Sequence, residues 1–130
     1  MKCLLVDDSR TMRNIQKKVL SSLPNMEFAE AGDGIEALAV IAATPGGFDL
    51  MLVDWNMPNM DGITLVKKIR ETDKKTLLIM ATTEAESGRV VEAIKAGVNN
   101  YIVKPFTPET ITEKISQTIA KAKARAAVAA

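Results

Sequence analysis

A chain of 130 residues, 47% hydrophobic and 25% charged, is long enough for one domain with a real core. Its net charge of +1 supplies no bulk field for nucleic acid or membrane, and its single cysteine excludes an internal disulfide, which fits a reducing compartment. The absence of histidine excludes Ser-His and Cys-His nucleophiles, His-ligated metals and a phosphohistidine on this chain.

The opening Met-Lys-Cys-Leu-Leu-Val turns acidic too early for a signal peptide, and no later stretch can span a bilayer. Cys3 to Val6 is a short apolar run bounded by Asp7-Asp8 and reads as a buried strand, with Cys3 a structural thiol. Met12, Ile15, Val19, Leu20 and Leu23 then recur at helical spacing, with Arg13, Asn14, Gln16, Lys17 and Lys18 on the polar face, Asp8 or Ser9 as N-cap and Pro24-Asn25 as the stop. Phe28 to Ala31 is a weaker strand. Ile35, Leu38, Ile41 and Ala42 predict the inward stripe of a second helix, ended by Pro45-Gly46-Gly47. Leu50 to Val53 is a third strand that stops at an acid, Asp54. Pro58, Asn59 and Gly62 mark the loop after it, with Met57 and Met60 as packing residues. A third helix turns Leu65, Val66 and Ile69 inward.

Leu77 to Ala81 predicts the fourth strand, ending at Thr82-Thr83. A fourth helix carries Val90, Val91 and Ile94, with Gly97 just past its end. Tyr101 to Val103 is the fifth strand, followed by Lys104-Pro105. Thr107-Pro108 opens a last helix with inward Ile111, Ile115, Ile119 and Ala122. The Ala-rich stretch from about 122 extends that helix into a frayed tail, and its alanine-spaced cations do not make a nucleic-acid arm. Strand and helix alternate throughout, so residues 1–130 read as a single α/β domain. The continuous apolar strands imply a doubly wound parallel sheet of five strands covered on both faces.

Ligands of such sheets bind outside the carboxyl ends of the strands. Those ends collect Asp7, Asp8, Asp54, Thr82 and Lys104. Three carboxylates in one pocket repel, by up to about 4 kcal/mol for a pair at ~4 Å and an effective dielectric near ~20. A hard divalent cation removes that cost, and Mg²⁺ takes one or two carboxylates, waters and a phosphate. Asp8 and Asp54 are the direct ligands in this reading, with Asp7 reaching the metal through water and the backbone carbonyl of Asn56 completing the set. Asp54 can then act as a nucleophile towards a phosphoryl donor, with Lys104 and Thr82 on the phosphoryl oxygens.

The ordered fragments Val-Asp-Asp-Ser, Ala-x-Asp-Gly-x-Glu-Ala-Leu (Ala31 to Leu38), Asp-x-x-Met-Pro-x-Met-Asp-Gly (from Asp54), Thr82, Ala96-Gly97 and Lys104-Pro105-Phe106 carry a resemblance over residues 1 to about 122. The chain resembles the receiver domain of two-component response regulators, of the stand-alone, CheY-like chemotaxis type. The resemblance implies a flavodoxin/CheY-like fold with strand order 2-1-3-4-5, an order taken from that family and not from spacing. It implies Asp54 as phosphoacceptor, Asp7, Asp8, Asp54 and the Asn56 carbonyl around Mg²⁺, and Thr82, Tyr101 and Lys104 as switch residues. It implies a cis Lys104-Pro105 bond. Thr83 stands where many relatives carry a smaller residue and is expected to tighten the pocket floor. Asn56 and Glu84 are expected to tune water access.

The implied function is a cytoplasmic, monomeric signalling switch that catalyses only its own phosphorylation and dephosphorylation. A histidine kinase is the donor, a phosphatase resets the switch, and a flagellar motor switch protein or other output protein reads the face of helix four, strand five and helix five. The alternative is a phosphorelay or adaptor receiver with a non-motor partner. Two other classes fit poorly: an aspartate-nucleophile hydrolase wants Asp-x-Asp where Ser9 follows Asp7-Asp8, and a dinucleotide binder wants a Gly-x-Gly-x-x-Gly that is missing.

Overall fold

A computed structural model describes residues 1–83, 87–104 and 107–129. Strand and helix alternate as β1 (Lys2–Val6), α1 (Arg10–Leu20), β2 (Glu27–Ala31), α2 (Gly34–Ala42), β3 (Leu50–Asp54), α3 (Gly62–Arg70), β4 (Leu77–Thr82), α4 (Ser87–Ala96), β5 (Asn100–Val103) and α5 (Pro108–Ala129). The strands form one parallel sheet in the order β2-β1-β3-β4-β5. The central strand β3 is buried along its whole length, as an unbroken Leu-Met-Leu-Val run requires.

Alternation along the strands divides the core into two layers. Leu4, Val6, Met51, Val53, Leu78 and Met80 point to one face, where α2, α3 and α4 cover them. Cys3, Leu5, Leu50, Leu52, Ile79 and Ile102 point to the other, under Leu20 of α1 and Ile111 and Ile115 of α5. Burial pushes the Cys3 thiol up to about 12, so it stays protonated.

Local chemistry fixes the helix starts. Ser9, Asp33 and Asp61 each accept from the backbone N–H three residues on, at 3.2, 2.8 and 3.0 Å, and Thr107 Oγ1 does the same for Thr110 at 3.2 Å. Of the two expected caps for α1, Ser9 takes the role. Gly97 ends α4 with φ +111, a conformation that disfavours any side chain.

Two expected helix faces are corrected, and the buried face of α4 is an alanine one. Ile15 is exposed while Gln16, assigned to the polar face, is 1% exposed. One residue is about 100° of helix rotation, so a small roll of α1 exchanges the two. Ile35 and Ala42 of α2 are exposed, with Ala37 buried instead. On α4, Val91 and Ile94 are exposed and Ala93 is buried. In both helices an alanine takes the buried position and larger side chains stay exposed beside it. α5 remains helical through Ala129. No helix among the described residues is long and apolar enough to cross a membrane.

Candidate functional site

Two strands of the sheet centre deliver the acids. Asp7 follows β1 directly and is 1% exposed; its N–H donates to the Ala31 carbonyl at 3.1 Å, which continues the ladder with β2. Its Oδ1 accepts from the Ser9 N–H at 2.9 Å, so the turn into α1 holds the carboxylate. Asp54 closes β3, in register with Ala81, and is 6% exposed. Asp8 is exposed at the rim. One carboxylate oxygen from each of Asp7, Asp8 and Asp54 lies within 4.8 Å of the others.

A cation at the end of β5 offsets this cluster. Lys104 leaves β5 with its N–H donating to the Thr82 carbonyl at 2.7 Å. That bond aims the side chain back across the sheet edge, and Nζ reaches Asp54 Oδ1 at 3.1 Å and Asp7 Oδ2 at 3.2 Å. Burial raises the Asp54 pKa above the usual carboxylate range; the Asp7 charge adds to the rise and Lys104 only partly offsets it. Burial works against the Lys104 ammonium, but Asp7 and Asp54 together outweigh it and hold its pKa above the ordinary range.

The loop after Asp54 is tied down from several sides. Trp55 donates its N–H to the Ala81 carbonyl at 2.8 Å, and Gly62 donates to the Trp55 carbonyl at 2.9 Å. A Cβ at Gly62 would stand 2.2 Å from the Asp54 carbonyl oxygen, so only glycine permits this return. Asn59 adopts φ 65 and donates to the Asp33 carboxylate at 2.8 Å, pinning the loop to the start of α2. Met57 and Met60 pack against the larger core layer, as expected of filler residues.

The structure therefore brings Asp7, Asp8, Asp54 and Lys104 together. Thr82 is 3% exposed at the end of β4, beside them through its carbonyl bond to Lys104. Tyr101 pairs with Met80, packs partly buried against the larger core layer, and carries Lys114 Nζ 5.0 Å from its ring centroid. Neither Tyr101 nor the exposed Asn56 side chain is hydrogen-bonded to the carboxylates among the described residues. Thr83 is exposed, so it forms rim and not floor. Glu84 and the Lys104-Pro105 bond expected to be cis lie outside the described residues.

Sequence reading left Arg13 on a solvated face. Its guanidinium donates to the Asp7 carbonyl and, at 3.0 Å, to Glu30, which also pairs with Lys17 at 2.9 Å. These two cations hold the Glu30 carboxyl below its usual range, the Lys17 hydrogen bond leading. The signal was spacing: Arg13 is one turn into the helix that starts just after Asp7.

Residues 3–116 match the family described as the response regulator receiver domain. The chain is 49% identical over 117 residues to the chemotaxis protein CheY1 of Helicobacter pylori, covering 88% of this chain and 94% of that protein. It is 46% identical over 121 residues to a chemotaxis protein CheY homolog of Campylobacter jejuni, covering 92% of each. Among solved structures, the chemotaxis protein CheY4 of Vibrio cholerae superposes with a TM-score of 0.81 at 35% identity, covering 90% of this chain and 97% of that one. With the strand order, the acid cluster and these matches in agreement, the chain belongs to the response regulator receiver domain family.

Proposed function

We propose that this receiver is a phosphorylation-activated switch in which Asp54 accepts a phosphoryl group from a histidine kinase. The observation that carries the reading is the Lys104 ammonium bridging Asp54 and Asp7 inside a cluster of three carboxylates. The donor set is all hard oxygen, which fits Mg²⁺. Asp7, Asp8, Asp54 and the Asn56 backbone carbonyl would hold it, and when bound it supplies charge neutralisation on the phosphoryl oxygens.

The chain's own residues do the rest. An Asp54 carboxylate oxygen attacks phosphorus as the P–N bond to the donor histidine breaks. Lys104 moves from a carboxylate to a phosphoryl oxygen, and the Thr82 hydroxyl donates to another. Two charge-assisted hydrogen bonds at about 1.5–3 kcal/mol each approach the roughly 5.5 kcal/mol that carries a population from 1:99 to 99:1. Thr82 and Lys104 flank β5, so their shift is read by Tyr101 and by the surface of α4, β5 and α5.

The relatives named above are chemotaxis proteins, which supports an output at the flagellar motor switch and a cytoplasmic place of work. The test is direct. Incubation with Mg²⁺ and a small acyl-phosphate donor should add one phosphoryl group by mass, mapped to Asp54 and absent from Asp54→Asn. Trp55, the only tryptophan, is buried beside Asp54 and should report both additions by fluorescence. An unmodified wild type after a competent donor and Mg²⁺ would sink the reading.

A further inference from the structure

The end of the sheet opposite Asp54 carries a second polar pocket. It has a volume of about 200 Å³. Lys74 and Lys75 line it from the turn before β4, Asn99 from the turn before β5, and Thr118, Lys121 and Arg125 from α5. Among the described residues, no carboxylate lines it. Among the described residues, none of its four cations is in an ion pair. The neighbouring acid, Asp73, is already committed: its oxygens accept from the N–H groups of Lys75 and Thr76 at 2.9 and 3.1 Å and from the Thr76 hydroxyl.

The neutral groups point the same way. Asn99 Oδ1 accepts from Arg70 Nη2 at 3.1 Å and from the Leu78 N–H at 2.8 Å, while its Nδ2 donates to nothing among the described residues. The Thr118 hydroxyl is satisfied, donating to the Lys114 carbonyl and accepting from Asn100 Nδ2. The side-chain polar capacity left over in the pocket is therefore on donors. Four cations gathered in a chain of net charge +1 are a local feature, not a bulk one.

We propose that this pocket binds a small multivalent phosphate anion, with Lys75, Lys121 and Arg125 supplying charge and Asn99 Nδ2 a neutral donor. Lysine ammoniums serve phosphate as mobile point charges, and arginine adds a planar fork. The volume is below the range of about 300–1,000 Å³ that holds a drug-sized ligand, so it suits a chain of a few phosphates and not a whole nucleotide. Free polyphosphate and the phosphate tail of a nucleotide share that chemistry.

The experiment is an amide-shift titration by NMR on the full chain, with chelator present so that the Asp54 site takes no metal-bound anion. The probes are tripolyphosphate, ATP and sulfate at matched ionic strength. The expected result is saturable movement of the Lys75, Asn99 and Thr118 amides with tripolyphosphate or ATP and not with sulfate. Stronger binding of ATP assigns the nucleotide as source; equal or weaker binding assigns free polyphosphate. The double variant Lys75→Gln/Lys121→Gln should weaken binding about tenfold, the equivalent of ~1.4 kcal/mol, and Lys18→Gln on α1 should leave it unchanged. Both variants alter exposed side chains, and their amide dispersion checks that they fold. Shifts that stay linear into the millimolar range, that sulfate reproduces, or that survive the double variant overturn the proposal.

Discussion

Lys104 has two carboxylate partners and only 15% side-chain exposure, while its partners are 1% and 7% exposed. Removing the ammonium leaves two buried acids facing each other. Lys104→Met should therefore lower the stability of the metal-free protein at neutral pH by about 3 kcal/mol, the lower end for breaking a buried pair. Urea denaturation measures it, and added Mg²⁺ should return part of the loss because a second cation then serves the same acids. An unchanged denaturation midpoint would mean that water already solvates the acids. Gly62 is a different kind of residue-scale constraint, one of space. Its missing Cβ lets the chain return within van der Waals contact of the Asp54 carbonyl. Gly62→Ala should cost at least the 1–3 kcal/mol typical of overpacking. It should also slow Asp54 phosphorylation, since the backbone that must yield belongs to Asp54 and Trp55. A variant with wild-type melting and labelling rate would show that α3 simply shifts outwards.

Among the elements, α1 carries the least expected feature. Gln16 is buried, and among the described residues its Oε1 has no hydrogen-bond partner. A buried polar atom left unmet costs roughly 1–3 kcal/mol, so Gln16→Met should raise the melting temperature, by about 4 °C for each kcal/mol recovered. Calorimetry decides it; a drop would show that the amide is met by ordered water. The same helix shows where sequence reading reaches its limit. All five strands and five helices were legible, because continuous Leu-Met-Leu-Val runs and 3.6-residue stripes leave little choice of period. The carboxyl-end residues Asp7, Asp54, Thr82 and Lys104 were legible for the same reason, since a strand's end locates its next residue. Helix rotation was not. Ile15 against Gln16, and Val91 against Ala93, differ by a fraction of a turn that only packing decides. Nor was the pairing of Arg13 with Glu30, which comes from β2. Spacing along one chain says nothing about a contact whose other half lies across the sheet.

For the whole molecule, the site acts as a store of electrostatic cost, and pH and Mg²⁺ should reveal it. Asp54 is the acid whose folded pKa lies above its unfolded value. Between those two values the folded chain binds more protons than the unfolded one, so raising pH through that window lowers stability. Asp54→Asn removes this loss. In metal-free solution the variant should gain on the wild type as pH climbs above the usual carboxylate range, with the difference flat once Asp54 is fully ionised. Lys104 acts at the other end: its folded pKa is raised, so its contribution is intact below the usual lysine range and is lost as pH rises through the folded value. With Asp54 neutralised that alkaline loss should shrink, because Asp7 alone then supports the ammonium. Mg²⁺ should reverse the order of the two proteins. At a hundred times its Kd a cation stabilises by about 2.7 kcal/mol, which is roughly 10 °C of melting temperature for a domain of this size. The wild type should gain that and Asp54→Asn much less, since one of three oxygen donors has lost its charge. Melting curves across pH, with and without Mg²⁺, measure all of these differences on one pair of proteins. If the variant melts with the wild type throughout, the three acids are solvated independently and no ion is needed to reconcile them.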